Sequence, residues 1–154
     1  MKIMFICTGN ICRSAMAHGM MKKLIKENDI DAKIYSCGVY AETGDYATYN
    51  AVEAAKEYGA EISSHRATNI RESKIEEMDL ILCATTSHKQ SVIYLYPSLK
   101  EKVFTMKEYA KIDKNGQDMD IKDPWGYDGF IYRKCASEIN ECLERTIEIL
   151  KNKQ

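Results

Sequence analysis

Residues 7 to 14, Cys7-Thr8-Gly9-Asn10-Ile11-Cys12-Arg13-Ser14, place a nucleophile, two conformationally tolerant residues and a guanidinium in one short stretch. A cysteine followed by an arginine after five residues is weak alone in a chain with six cysteines, and its surroundings supply the specificity. The apolar run Ile3 to Cys7 reads as a buried strand. Gly9 and Asn10 tolerate unusual backbone angles, and Arg13 and Ser14 open a helical pattern. Consecutive backbone N–H groups in such a loop can turn inward as an anion nest, reinforced by the N-terminus of the helix. Arg13 adds a planar, two-pronged donor that matches phosphate oxygens. The same positive field favours the thiolate of Cys7, so the predicted chemistry is attack of sulfur on a bound phosphoryl group. Thr8, Gly9, Asn10, Ile11, Cys12 and Ser14 would line the site with Arg13. The competing reading is a buried structural cysteine beside a surface arginine.

Phosphoryl transfer depends mainly on positioning and electrostatics, and the leaving oxygen needs one proton. A single carboxylic acid therefore suffices, and no metal or cofactor is expected. Asp123 is the candidate acid, on a loop ahead of the last helical pattern, with Pro124 restricting its backbone. As a purely structural feature, Asp-Pro marks a turn. Asp120 is the nearest competitor, in a less constrained sequence. The cysteines at 7, 12, 37, 83, 135 and 142 form no Cys-x-x-Cys pair, and the three histidines stand apart in the sequence, so no zinc site is expected. Cys37, Cys83, Cys135 and Cys142 read as core or helix-face residues.

These residues need a frame to hold them. Strands are predicted at residues 2 to 6, 33 to 36, 80 to 84 and 103 to 105. Helices are predicted from Ser14 to about Lys26, from Asn50 to Tyr58 with a stop at Gly59, and from Ser87 to Tyr96 with an end at Pro97. Ile131, Cys135, Ile139, Leu143, Ile147 and Leu150 mark a long amphipathic helix with one buried stripe. The polar stretch from Lys111 to Asp123, with Gly116, reads as a loop. Alternating strands and helices imply right-handed crossovers and a parallel sheet with its sites at the carboxyl ends of the strands. The expected fold is a three-layer α/β domain spanning residues 1 to 154. It has a four-stranded parallel sheet, helices on both faces and the phosphate-binding loop after the first strand.

Composition narrows the partners. With 22 basic and 23 acidic side chains the chain gives no case for nucleic acid or an anionic membrane. Its longest apolar runs are too short to span a bilayer, and its start does not resemble a secretory signal. The expected compartment is the reducing cytoplasm, where cysteines serve as core, metal-binding or catalytic residues more often than as disulfides. A monomer is the default expectation.

The chain resembles the low-molecular-weight protein tyrosine phosphatases along essentially its whole length. Cys7, Gly9, Asn10, Cys12, Arg13, Ser14, Met16 and Ala17 sit on that family's N-terminal signature. Ser36 and Gly38 match its Ser-Ala-Gly segment with Cys37 in the alanine's place. Ser64-His65-Arg66-Ala67 matches its histidine segment, and Asp123-Pro124-Trp125-Gly126 its acid loop. Ala15 stands where proline is usual, a departure the first turn of a helix tolerates. The resemblance implies Cys7 as nucleophile, Arg13 as phosphate ligand and Asp123 as general acid. It implies a supporting network of Asn10, Ser14, Ser36 and His65, and Tyr40 and Trp125 as walls for the substrate side chain. It also implies that Cys12 either lines the loop or forms a protective disulfide with Cys7 under oxidation.

Phosphorylated proteins are the implied substrates, and phosphotyrosine is the first choice. A protein-arginine phosphatase with the same catalytic residues is the alternative. Ser36 to Ala41, His88-Lys89-Gln90 and Lys102 to Tyr109 resemble that bacterial branch, but Ile11 stands where the branch usually has threonine. An isoleucine offers apolar contact to an aryl ring and no hydroxyl to a guanidinium phosphate. A thioredoxin-coupled arsenate reductase would need a resolving cysteine pair, and Cys83 has only Gln90 seven positions on. A non-catalytic anion-binding or redox module would have no use for a positioned acid such as Asp123.

Overall fold

The computed structural model describes residues 1–112 and 118–153. Strands and helices follow in the order β1 (Lys2–Cys7), α1 (Arg13–Glu27), β2 (Lys33–Gly38), α2 (Tyr49–Lys56), β3 (Leu80–Cys83), α3 (Thr86–Leu95), β4 (Val103–Thr105), α4 (Met106–Ala110) and α5 (Gly129–Asn152). Short 3-10 turns occupy Ile70–Glu72, Ile75–Glu77 and Pro97–Lys102. The four strands pair in parallel, as the alternation of strands and helices predicted, and their order is β2-β1-β3-β4.

Side chains alternate across a strand, so β1 feeds two separate cores. Ile3, Phe5 and Cys7 pack with α1, α2 and α5, whereas Met4 and Ile6 pack with Val92 of α3 and with Ile70, Ile75 and Leu99 of the 3-10 turns. A strand covered on both faces has no polar side to show, which is why its sequence is continuously apolar. In α5 the buried stripe includes Cys135, Ile139, Cys142, Leu143, Ile147 and Leu150 at the helical spacing read from the sequence, whereas Ile131 is only partly buried and Tyr132 fills the first buried place. Period two therefore turns Cys7 toward α1, which carries Arg13 and Ser14.

The chain runs from β2 at one edge across β1 to β3, which makes the β1/β3 boundary the topological switch point. The carboxyl ends of those two strands open onto one crevice, the expected place for a ligand. Several boundaries differ from expectation. Strand β2 continues to Gly38 because Cys37 and Gly38 stay in register with Ile6 and Cys7 of β1. Helix α2 ends at Lys56 rather than Tyr58, and Gly59, at φ 75°, donates its N–H to the Lys56 carbonyl. Helix α4 was not anticipated. Its signal was Thr105-Met106-Lys107-Glu108, a capping box in which the Thr105 hydroxyl accepts from Glu108 N and the Glu108 carboxylate accepts from Thr105 N. The predicted loop from Lys111 to Asp123 has no helix or strand among its described residues, and Gly116 lies outside them.

Candidate active site

Strand β1 ends at Cys7 and α1 begins at Arg13, so thiol and guanidinium are fixed to two rigid elements with a tight loop between them. The loop's hydrogen bonding is one-sided. Val39 N donates to the Cys7 carbonyl, Tyr40 N to Thr8, Thr48 N to Ile11 and Met16 N to Cys12, while the His65 ring holds the Asn10 carbonyl at 2.7 Å. In contrast, the backbone N–H groups of residues 8 to 13 donate to no acceptor among the described residues. Asn10, Cys12 and Arg13 are buried, where an N–H group is nearly always paired, so this run of six unpartnered donors forms a candidate anion cradle.

Asn10 gives the loop its shape. It is fully buried and adopts the left-handed region at φ 56°, which asparagine tolerates better than most residues. Its Oδ1 accepts from Thr68 N at 2.9 Å and its Nδ2 donates to Ser14 Oγ at 2.7 Å. Because Ser14 Oγ accepts there, its own proton is free for Cys7 Sγ, 2.9 Å away. Ser14 N approaches the same sulfur at 3.4 Å. Two donors thus converge on the sulfur of Cys7, which is 2% exposed. Gly9 does not occupy the positive-φ region, so its expected use as a backbone pivot is not what the loop requires. The glycine that sterics demand is Gly38, where a Cβ would stand 2.5 Å from the Thr8 carbonyl and 2.9 Å from Asn10 N.

Arg13 is buried at 4% exposure, against the expectation of the structural alternative. Its Nη1 donates to the Ile121 carbonyl at 2.8 Å and its Nη2 approaches Thr8 Oγ1 at 3.5 Å and Asp123 Oδ2 at 3.6 Å. Its Nε is buried without a partner among the described residues. An unpaired buried donor costs about 1–3 kcal/mol, a deficit that a phosphate oxygen would remove. The acid loop is tied down at Ile121, whose carbonyl takes Arg13 and whose N–H donates to the Ala84 carbonyl at the end of β3. Asp123 itself is half exposed, with Oδ1 accepting from Trp125 N at 3.1 Å. Asp120 is committed elsewhere, accepting from Thr86 N at the start of α3.

Cys7, Thr8, Gly9, Ile11, Cys12, Arg13, Asp123 and Trp125 line one cleft. Tyr40 does not. Its backbone holds Thr8, but its ring lies 79% exposed in a neighbouring groove with Arg71 and Tyr94. Cys12 is a free thiol whose Sγ lies 3.2 Å from Tyr132 Oη and 3.7 Å from Thr48 Oγ1, with burial pushing its pKa up. Ser36 reaches the loop indirectly. Its hydroxyl meets His18 Nδ1 at 2.7 Å, and the His18 and His65 rings pack edge to face at 6.0 Å. Burial lowers the pKa of His65 and takes His18 down to about 4, so this pair supports the loop as neutral rings.

Sequence reasoning did not place His18, Thr48, Thr68, His88 or Tyr132 at the site. His18 and His65 stand 47 positions apart in the sequence (65 − 18) and no short spacing links them. His88, buried with its Nε2 2.8 Å from Thr8 Oγ1, lay within a segment read only as a mark of branch ancestry. Among the described residues no group of three or more His, Cys, Asp or Glu side chains is placed to hold a metal, and no helix is long and apolar enough to cross a membrane.

Comparisons with known proteins converge on one family. A protein of Bacillus subtilis (strain 168) named protein-arginine-phosphatase is 35% identical over 151 residues, covering 98% of this chain and 97% of the relative. The structure of a low molecular weight protein tyrosine phosphatase from T. tengcongensis superposes with a TM-score of 0.87 at 40% identity, over 96% of this chain and 98% of that one. A YwlE arginine phosphatase, in a cysteine-to-serine form with a phosphorylated active-site serine, superposes with a TM-score of 0.90 at 34% identity, over 98% and 96% of the two chains. The family profile described as low molecular weight phosphotyrosine protein phosphatase matches residues 2–154, and the chain belongs to that family.

Proposed function

We propose that this protein is a phosphotyrosine phosphatase that works through a phosphocysteine on Cys7. The Cys7 thiolate attacks phosphorus along the line opposite the ester oxygen, forming an S–P bond as the P–O bond breaks. Asp123, protonated, gives its proton to the departing phenolic oxygen. The developing charge on the equatorial oxygens is met by the six loop N–H groups and by Arg13. Asp123, now a carboxylate, then takes a proton from a water that attacks phosphorus. The S–P bond breaks, inorganic phosphate leaves and the thiolate is regenerated, with Ser14 donating to the sulfur as leaving group. The phosphorylated active-site serine in the YwlE relative supports the nucleophile's position.

The observation that carries the substrate choice is the cleft wall. Ile11 and Trp125 present an aliphatic and an aromatic surface beside Cys7, Arg13 and Asp123, a setting suited to an aryl ring. Phosphorylated proteins are the substrate class. The second reading, a protein-arginine phosphatase with the same machinery, is favoured by the near full-length likeness to the Bacillus subtilis relative. Relatives named arsenate reductase share 35% identity over 142 residues, but the residues here do not suit a cysteine relay, since Cys83 is fully buried with its pKa raised by desolvation and Gln90 occupies the second position. Acid quench during turnover of a phosphotyrosine peptide, followed by mass spectrometry, tests the mechanism. The expected adduct is a phosphate on Cys7, absent in Cys7→Ala. An adduct on any other residue would reject it.

A further inference from the structure

His88 touches none of the reacting groups in the proposed mechanism, yet its ring is buried at the crevice between two hydroxyls. Its Nε2 lies 2.8 Å from Thr8 Oγ1 and its Nδ1 2.9 Å from Thr85 Oγ1. Thr85 caps α3, and its hydroxyl already accepts from His88 N at 3.1 Å, which fixes His88 at the third position of that helix. Thr8 Oγ1 also faces Arg13 Nη2 at 3.5 Å. That hydroxyl therefore stands between a permanent cation and a ring nitrogen. Electrostatics turns its oxygen toward the guanidinium and its proton away from it, and each bond polarises the next.

We propose that His88 is a positioning residue for Arg13, holding the Nδ1–H tautomer so that Nε2 accepts the Thr8 hydroxyl proton and Thr8 Oγ1 is presented to the guanidinium. The relay runs from Arg13 N–H to Thr8 O–H to His88 Nε2, and from His88 Nδ1–H to Thr85 Oγ1. Nη1 is held by the Ile121 carbonyl, so Thr8 supplies the second point that fixes the guanidinium plane. Burial and the Arg13 charge bring the His88 pKa down to about 4, with Asp120 and Asp123 acting in the opposite direction, so the ring is neutral near pH 7. A protonated ring would donate from both nitrogens and compete with Arg13 for Thr8. The inference rests on the reading of Arg13 as the phosphate ligand.

The test has a spectroscopic arm and a kinetic arm on the full chain. The 15N ring resonances of wild type at pH 7 should show His88 protonated at Nδ1 and bare at Nε2. A proton on Nε2 overturns the proposal. With p-nitrophenyl phosphate, Thr8→Val and His88→Met should each lower kcat/KM by about tenfold, the scale of a hydrogen bond to a charged group, and weaken inhibition by inorganic phosphate in parallel. The double variant should be no more than about threefold worse than the poorer single one, because both remove the same relay. His88→Gln, whose amide reaches the place of Nε2, should recover most of the loss, and the shorter His88→Asn should not. Independent losses that multiply, or a His88→Met enzyme within twofold of wild type, overturn the proposal. If a variant does not fold, the wild-type tautomer decides alone. A wild type inert toward p-nitrophenyl phosphate would reject the reading of the site, while the ring spectrum would still judge His88.

Discussion

Asn10 shows how much of this site is settled by single side chains. Its amide is bonded at both ends and its carbonyl is held by His65, so the left-handed turn is fixed by the protein and the loop N–H groups are pre-aimed. That choice of residue was legible, because asparagine is among the few that accept φ 56°. The need for Gly38 was less so, since it comes from the close approach of the Thr8 carbonyl across strands. Asp123 carries the residue-scale prediction. Asp123→Asn keeps the shape and loses the proton, so kcat for a phosphotyrosine peptide should fall by about 10²–10⁴-fold. p-Nitrophenyl phosphate, whose leaving group needs no proton, should suffer far less. Equal losses on both substrates, measured side by side, would remove Asp123 from the role of acid.

At the scale of elements, the site depends on where β1 and β3 end. Ile121 links the acid loop to the start of α1 through Arg13 and to the end of β3 through Ala84, and Asp120 ties the same loop to α3. The strands, α1, α3 and α5 were readable from apolar runs and from helical spacing, because burial on a parallel sheet leaves those patterns in the sequence. Helix α4 was not, since a five-residue helix carries too few turns for a period to show, although its capping box was present. The histidines at 18 and 88 were equally opaque, because their partners Ser36 and Thr8 come from other elements, and His65 entered only through the family resemblance. Thr105→Ala tests the cap. It should cost about 1 kcal/mol of stability, seen as a lower urea midpoint, and leave kcat/KM unchanged, since α4 contributes nothing to the cleft. A large loss of activity without loss of stability would contradict that division.

For the molecule as a whole, the three histidines link stability to pH. Burial lowers all three pKa values, His18 and His88 to about 4. The unfolded chain takes up these protons near pH 6.5, whereas folded His18 and His88 resist until about pH 4. The unfolded state therefore binds more protons between about pH 6.5 and 4, and stability falls as pH drops through that window. The urea midpoint should decline from pH 7 to pH 5, and the decline should be shallower in His18→Asn. A midpoint that does not move would show that these rings are not held neutral. In the proposed reading, substrate enters the cleft at the β1/β3 switch point, and within it Ile11 bears most directly on what the enzyme acts on. The decisive measurement is kcat/KM for two peptides of identical flanking sequence, one with phosphotyrosine and one with phosphoarginine. Wild type should favour phosphotyrosine, and Ile11→Thr should move the ratio toward phosphoarginine by roughly 10- to 200-fold. A wild type that already favours phosphoarginine would contradict the assignment and establish the second reading in its place.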